Sequence, residues 1–144
     1  MDYREAYEKA LQLLNVRFLS EGELKAKLRR RGVDDDVLED VVAALEGEHF
    51  LDDQRLARDV YRYYARKGQY GHLYIVNRLR RRCLPVPEDV ERPDEYALAG
   101  DLVKRKFSYR ADEARKAARF LQYRGFRPQS VRDVLEDFTV PLIR

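Results

Sequence analysis

The chain has 144 residues, 38% of them charged, with 29 Lys and Arg against 26 Asp and Glu, one cysteine and no tryptophan. No apolar run approaches bilayer length, the start Met1-Asp2-Tyr3-Arg4-Glu5 lacks a signal peptide's apolar core, and Cys83 alone cannot form an internal disulfide. A membrane-spanning bundle and a disulfide-stapled secreted domain are excluded, and the expectation is a cytoplasmic protein of solvated amphipathic helices.

Taken in chain order, Tyr3, Ala6, Tyr7, Ala10, Leu11, Leu14 and Phe18 recur at helical spacing and predict a first helix with one apolar face. Ser20 and Glu23 form the signature of a capping box, so a second helix starts near Glu21, buries Leu24 and Leu28, and stops at Gly32. Asp34-Asp35-Asp36 supplies an N-cap and dipole-favoured acids for a third helix striped by Val37, Leu38, Val41, Val42 and Leu45. Asp52 or Asp53 caps a fourth, predicted to carry Leu56, Val60, Tyr63 and Tyr64 inward. Gly68 and Gly71 bracket a turn before a helix that buries Ile75 and Leu79 and ends at Cys83, expected as a buried thiol. Pro85, Pro87 and Pro93 then predict a truncated helix or a loop, because proline fixes φ and removes a donor. A helix from Asp94 carries Tyr96, Ala99, Leu102 and Val103; after a turn at Ser108-Tyr109-Arg110 another runs from about Asp112 to Gly125. Pro128 opens the last, striped by Val131, Val134, Leu135 and Phe138, and residues from Pro141 to Arg144 are expected to fray.

One phrase is written three times. Leu24 to Val33, Ile75 to Leu84 and Ala117 to Phe126 superpose on shifts of 51 and 93 residues, aligning Leu28 with Leu79 and Leu121, and Val33 with Leu84 and Phe126. A repeat of this length predicts an all-α, elongated tandem array of three three-helix modules, residues 1–50, 51–93 and 94–144, the middle one with a shortened or broken third helix.

Catalytic signatures do not accompany the repeat. His49, His72 and Cys83 lack zinc-site spacing, no phosphate loop or nucleophile elbow occurs, and the adjacent Asp52 and Asp53 are explained by capping. No catalytic, metal or cofactor residue is assigned, and the chain reads as a binding protein.

The charge is blocked. Residues 33–53 hold nine acids and no Lys or Arg, whereas residues 54–83 hold nine Lys and Arg against the single acid Asp59, interleaved with Tyr61, Tyr63, Tyr64, Tyr70 and Tyr74. Cations release counterions from phosphates and tyrosine rings stack on unpaired bases, while core packing claims some of these rings. A helix-turn-helix reading is disfavoured, because the third helix that would enter the groove carries Asp35, Asp36, Glu39 and Asp40.

Three stretches carry a family resemblance: Ser20-x-x-Glu23-Leu24-x-x-Lys27-Leu28-x-x-Arg31-Gly32, the junction Phe50-Leu51-Asp52-Asp53-Gln54-Arg55-Leu56-Ala57, and Gly71 through Leu79 with its basic tail. In these the chain resembles the RecX family of recombination regulators, with Cys83 in place of a glycine and Gln69 inserted ahead of Tyr70-Gly71. The resemblance implies three tandem three-helix repeats and a non-enzymatic, cytoplasmic protein that binds the RecA filament along its groove; a monomer is expected. It would suppress the filament's ATPase, strand-exchange and coprotease activities, and Leu51, Asp52, Asp53, Arg55, Ala57 and Gly71 are its motif residues. The basic phrase residues Lys25, Arg29, Arg30, Arg78, Arg81, Arg82, Arg115, Lys116 and Arg119 are the candidate contacts to RecA or to single- and double-stranded DNA. The competing reading is a free-standing DNA-binding protein that coats single strands or represses transcription locally.

Overall fold

A computed structural model describes residues 1–107 and 113–143, with side chains as far as 137. Among the described residues the chain is all-helical: α1 Tyr3–Val16, α2 Glu21–Arg30, α3 Asp35–Gly47, α4 Asp53–Arg66, α5 His72–Arg81, α6 Glu95–Lys106, α7 Ala114–Tyr123 and α8 Pro128–Ile143. No described helix is long and apolar enough to cross a membrane. The chain forms two compact units, residues 1–59 with 79–87 and residues 60–78 with 88–144, passing from one to the other within α4 and α5.

The first unit is built on α1 to α3. Ala6, Ala10, Leu24, Leu28, Leu38 and Leu45 are buried in one core, each leucine contributing about 1.5–3 kcal/mol. Two small alanines at the same face of α1 let it approach closely. The capping box at α2 is complete: the Ser20 hydroxyl accepts from Glu23 N at 3.0 Å and the Glu23 carboxylate from Ser20 N at 2.9 Å. Asp34 occupies the N-cap of α3 but makes no side-chain cap bond. Phe18, expected on the α1 stripe, lies beyond the helix and is 74% exposed, because the chain turns extended at Arg17.

The second unit packs α6, α7 and α8 around Ala99, Val103, Ala117, Leu121, Phe126, Val131 and Val134. Asp94 caps α6 by accepting Ala97 N at 3.2 Å. The inward residue of this part of α4 is Tyr61, fully buried, whereas Tyr63 is 56% exposed. The buried face is offset from the expected one by a single residue, about 100° around the helix, since Tyr61 and Ala57 complete the buried stripe while Leu56, Val60 and Tyr64 are half-buried. Tyr96 is likewise exposed. Residues 82–94 contain no helix, the loop alternative that the three prolines allowed. α8 continues to Ile143 rather than fraying from Pro141; the side chain of Phe138, the turn at 108–110 and Asp112 lie outside the described part.

All three copies of the phrase end in one geometry. Gly32, Cys83 and Gly125 have φ of 84°, 58° and 81°, and Val33, Leu84 and Phe126 donate their N–H to Leu28, Leu79 and Leu121 at 3.1, 2.9 and 3.1 Å. This is the Schellman arrangement, in which a left-handed residue lets two N–H groups reach back to the last turn and an apolar residue close over it. Leu28, Leu79 and Leu121 are fully buried, which explains why apolar identity repeats there. Cys83 pays a steric cost that glycine avoids, and it is exposed rather than a core thiol.

Candidate interaction surface

The motif residues are mostly accounted for by folding. Leu51 and Ala57 are buried, Asp52 caps α4 by accepting Arg55 N at 3.1 Å, and Asp53 accepts the N–H of Glu21 at 2.9 Å. Burial holds the Asp53 carboxyl above its usual range, with the Glu21 N–H opposing. Two adjacent aspartates thus serve the N-termini of two different helices, which removes the reason to consider them catalytic. Arg55 alone in this motif has no packing duty; it lines an open groove with Phe18, Phe50 and Leu56.

Gly71 is required for a different reason. A Cβ there would meet the Gly125 carbonyl oxygen at 2.4 Å, and one on Gly125 would meet Tyr74 N at 2.2 Å. The two backbones touch so that Gly71 N reaches Arg124 O at 2.8 Å and Leu73 N reaches Gly125 O at 3.0 Å. The start of α5 therefore takes the unpaired carbonyls at the end of α7. Between these bonds His72 N donates to the Glu95 carboxylate at 2.8 Å. Buried Glu95 also accepts Arg127 N at 3.0 Å, the Arg127 guanidinium at 3.1 Å and the Ser130 hydroxyl at 2.9 Å, capping α5 and α8 at once. Burial alone would raise its carboxyl, but these donors hold it below the usual range. The His72 ring shares a 2.8 Å hydrogen bond with Tyr61, and its burial pushes the imidazole pKa down. Glu95 stands in an acidic stretch with no local mark of this role, and nothing in its sequence neighbours singles it out.

The nine basic candidates divide by what they already hold. Lys25 is shared by Glu21 and Glu39 at 3.0 and 3.1 Å, and Arg29 pairs with Asp35 at 3.1 Å. Arg82 bonds Glu23 at 3.0 Å and the Phe18 carbonyl at 2.9 Å, although no acid lies near it in sequence. Arg78 donates to the Tyr74 hydroxyl at 3.1 and 2.8 Å. Arg30, Arg81, Arg115, Lys116 and Arg119 are exposed, with no ion pair among the described residues. The first four belong with structure as much as with surface; the last five are open to a partner. Lys67, outside the phrase, and Tyr123 and Arg124, inside its third copy, are not among the nine candidates but stand at the surface of the second unit.

Residues 6–45 match the family model for RecX, first three-helix domain. Over 144 residues the chain is 32% identical to a protein of Vibrio cholerae called Regulatory protein RecX, covering 94% of each chain. The chain belongs to the RecX family. A RecX relative from Pelodictyon phaeoclathratiforme is 31% identical, with 92% of this chain and 88% of that one covered. The crystal structure of RecX from Lactobacillus salivarius shares the fold, with a TM-score of 0.79 at 20% identity over 96% of this chain and 97% of that one. RecX proteins are named as regulators, and the helical architecture found here is theirs.

Proposed function

We propose that this chain is a non-enzymatic, cytoplasmic regulator of homologous recombination that binds the RecA–DNA filament and restrains its ATPase, strand-exchange and coprotease activities. The observation that carries the reading is the nearly end-to-end correspondence with proteins named Regulatory protein RecX. We read the chain as three repeats, residues 1–50, 51–93 and 94–144, supported by the shared cap at Gly32, Cys83 and Gly125. Repeated surfaces suit a filament, because weak contacts to successive protomers gain affinity through avidity and hinder the rearrangements coupled to ATP turnover.

Among the basic candidates, Arg30, Arg81, Arg115, Lys116 and Arg119 are the contacts the reading favours. Lys25, Arg29, Arg78 and Arg82 contribute by orienting these surfaces. The test is the rate of RecA-catalysed ATP hydrolysis on single-stranded DNA as the protein is added. Inhibition near stoichiometric ratios is expected, and Arg81→Glu with Arg115→Glu and Arg119→Glu should weaken it at least severalfold and flatten its salt dependence. An unchanged rate with the intact protein would remove RecA as the target.

A further inference from the structure

A ladder of alternating cations and rings crosses one surface of the second unit. Arg78 lies 5.1 Å from the Tyr74 ring centre, and Tyr74 stacks on Tyr70 with centroids 3.9 Å apart and planes 6° from parallel. Arg124 lies 5.6 Å from Tyr70 and 4.9 Å from Phe120, and Lys106 stands 4.4 Å from the Phe120 ring centre. Beside it Lys67 sits 4.7 Å from the ring of Tyr63, which meets Tyr64 edge-on at 5.1 Å. The side chains come from α4, α5, α6, α7 and the turn before α5, so folding assembles them from separate stretches.

Two properties set this surface apart from an ordinary solvated face. First, its two main contributors lack counter-charge: residues 60–78 hold Arg62, Arg66, Lys67 and Arg78, and residues 114–124 hold Arg115, Lys116, Arg119 and Arg124, with no Asp or Glu in either. Cations gathered without carboxylates repel one another, and a polyanion offsets that repulsion. Second, two of its rings stand in solvent, whereas Tyr64, Tyr70, Tyr74 and Phe120 are half-buried and Phe120 packs on the core of the unit. Tyr123, next to Arg124, is 89% exposed with no ring partner among the described residues, and Tyr63 is 56% exposed. Burial therefore gives little reason for aromatic residues at these positions.

We infer that this surface is a track for single-stranded nucleic acid, in which Lys67, Arg78, Arg124 and the α7 cations take phosphates while Tyr123 and Tyr63 stack unpaired bases. A protein partner with an acidic surface would satisfy the cations but leave Tyr123 unused. A duplex hides its base faces, so it too leaves a stacking ring unused. The α5–α7 backbone contact holds Tyr74 and Arg124 in register, since Gly71 and Leu73 bond the carbonyls of Arg124 and Gly125. The inference deepens the filament reading, on which it depends only for the source of the strand.

The test uses the full chain without RecA, a fluorescently labelled oligothymidylate, and anisotropy over a salt series. Binding is expected to favour the single strand over a duplex of the same length. Tyr123→Ala should weaken it about tenfold, the scale of one lost base stack, while Tyr123→Trp retains it. Because the chain has no tryptophan, that indole is a unique reporter, and the strand should quench it. Arg124→Gln should lower the salt slope by roughly 0.7. Circular dichroism of each variant excludes unfolding. Equal binding of single strand and duplex, or full affinity and no quenching at position 123, would overturn the track. Strand binding without any effect on RecA ATP hydrolysis would sink the filament reading and keep the track; inhibition of RecA by a chain that binds no strand would do the reverse.

Discussion

Gly32 in the first unit and Gly125 in the second end the same phrase with the same backbone, φ 84° and 81°, yet their surroundings are opposite. A Cβ on Gly32 meets nothing within 4 Å, whereas one on Gly125 lands 2.2 Å from Tyr74 N. In the first unit the glycine ends a helix. In the second it ends a helix and admits another backbone to the same place. Equal local conformations therefore carry unequal tertiary duties, and the duty cannot be recognised from the phrase itself.

The sharpest test of that comparison is a pair of alanine substitutions. Gly125→Ala should cost about 4 kcal/mol or more, because backbone atoms cannot move aside singly, while Gly32→Ala should cost about 1 kcal/mol of left-handed strain. Chemical denaturation followed by amide exchange would locate the loss in the second unit. Equal costs at the two positions would break the comparison.

The carboxylates that serve helix starts differ in the same way. Glu23 belongs to the box it closes and is partly exposed; Glu95 is buried and serves α5 and α8 from afar. Glu95→Gln should cost about 2 kcal/mol, since it weakens charge-assisted bonds to several donors. The pH dependence follows from two depressed groups. Burial and the charge of Arg92 disfavour the imidazolium of His72, with Glu95 opposing. Its contribution is complete above about pH 6.5, the unfolded value, and is lost as pH falls toward the folded one. Glu95, also depressed, contributes above about pH 4.3 and loses that contribution at more acid pH. Thermal melts should thus fall between pH 7.5 and 5.5 and again below about pH 4.3; His72→Gln should flatten the upper step and leave the lower one. A melt independent of pH across both windows would contradict the network.

The smallest effect is expected at the third end of the phrase. Cys83→Gly should stabilise by up to about 1 kcal/mol by relieving its left-handed backbone. It should also make Gly22→Ala tolerable, because the Cβ added at Gly22 otherwise meets the Cys83 Cβ at 2.7 Å. A double-mutant cycle showing no coupling would place the two residues apart.

Much of the fold was legible where the cause is local. The Ser20 and Glu23 box, the Asp52 cap, the left-handed end at Gly32 and the proline-broken stretch all depend on residues within a few positions, and all are present. Errors arose where helical phase alone had to choose a face. Tyr63 and Phe18 have apolar spacing but point to solvent, and Tyr61 takes the buried place because His72 offers its hydroxyl a partner. The candidate surface was half legible. Its cations could be counted, but Arg82 is paired to Glu23 from 59 residues away, and the rings under Arg78 and Arg124 come from different elements.

By itself, the sequence determined that this protein is helical, where most helices start and stop, that one phrase recurs, and which family it resembles. Those properties arise from side chains acting on their own backbone or on the next turn. Only the tertiary structure decided which cations are held by carboxylates, which glycines stand beneath another backbone, and that Glu95 joins the starts of two helices. These depend on groups far apart in the chain, whose hydrogen bonds and close contacts exist only once each unit has folded.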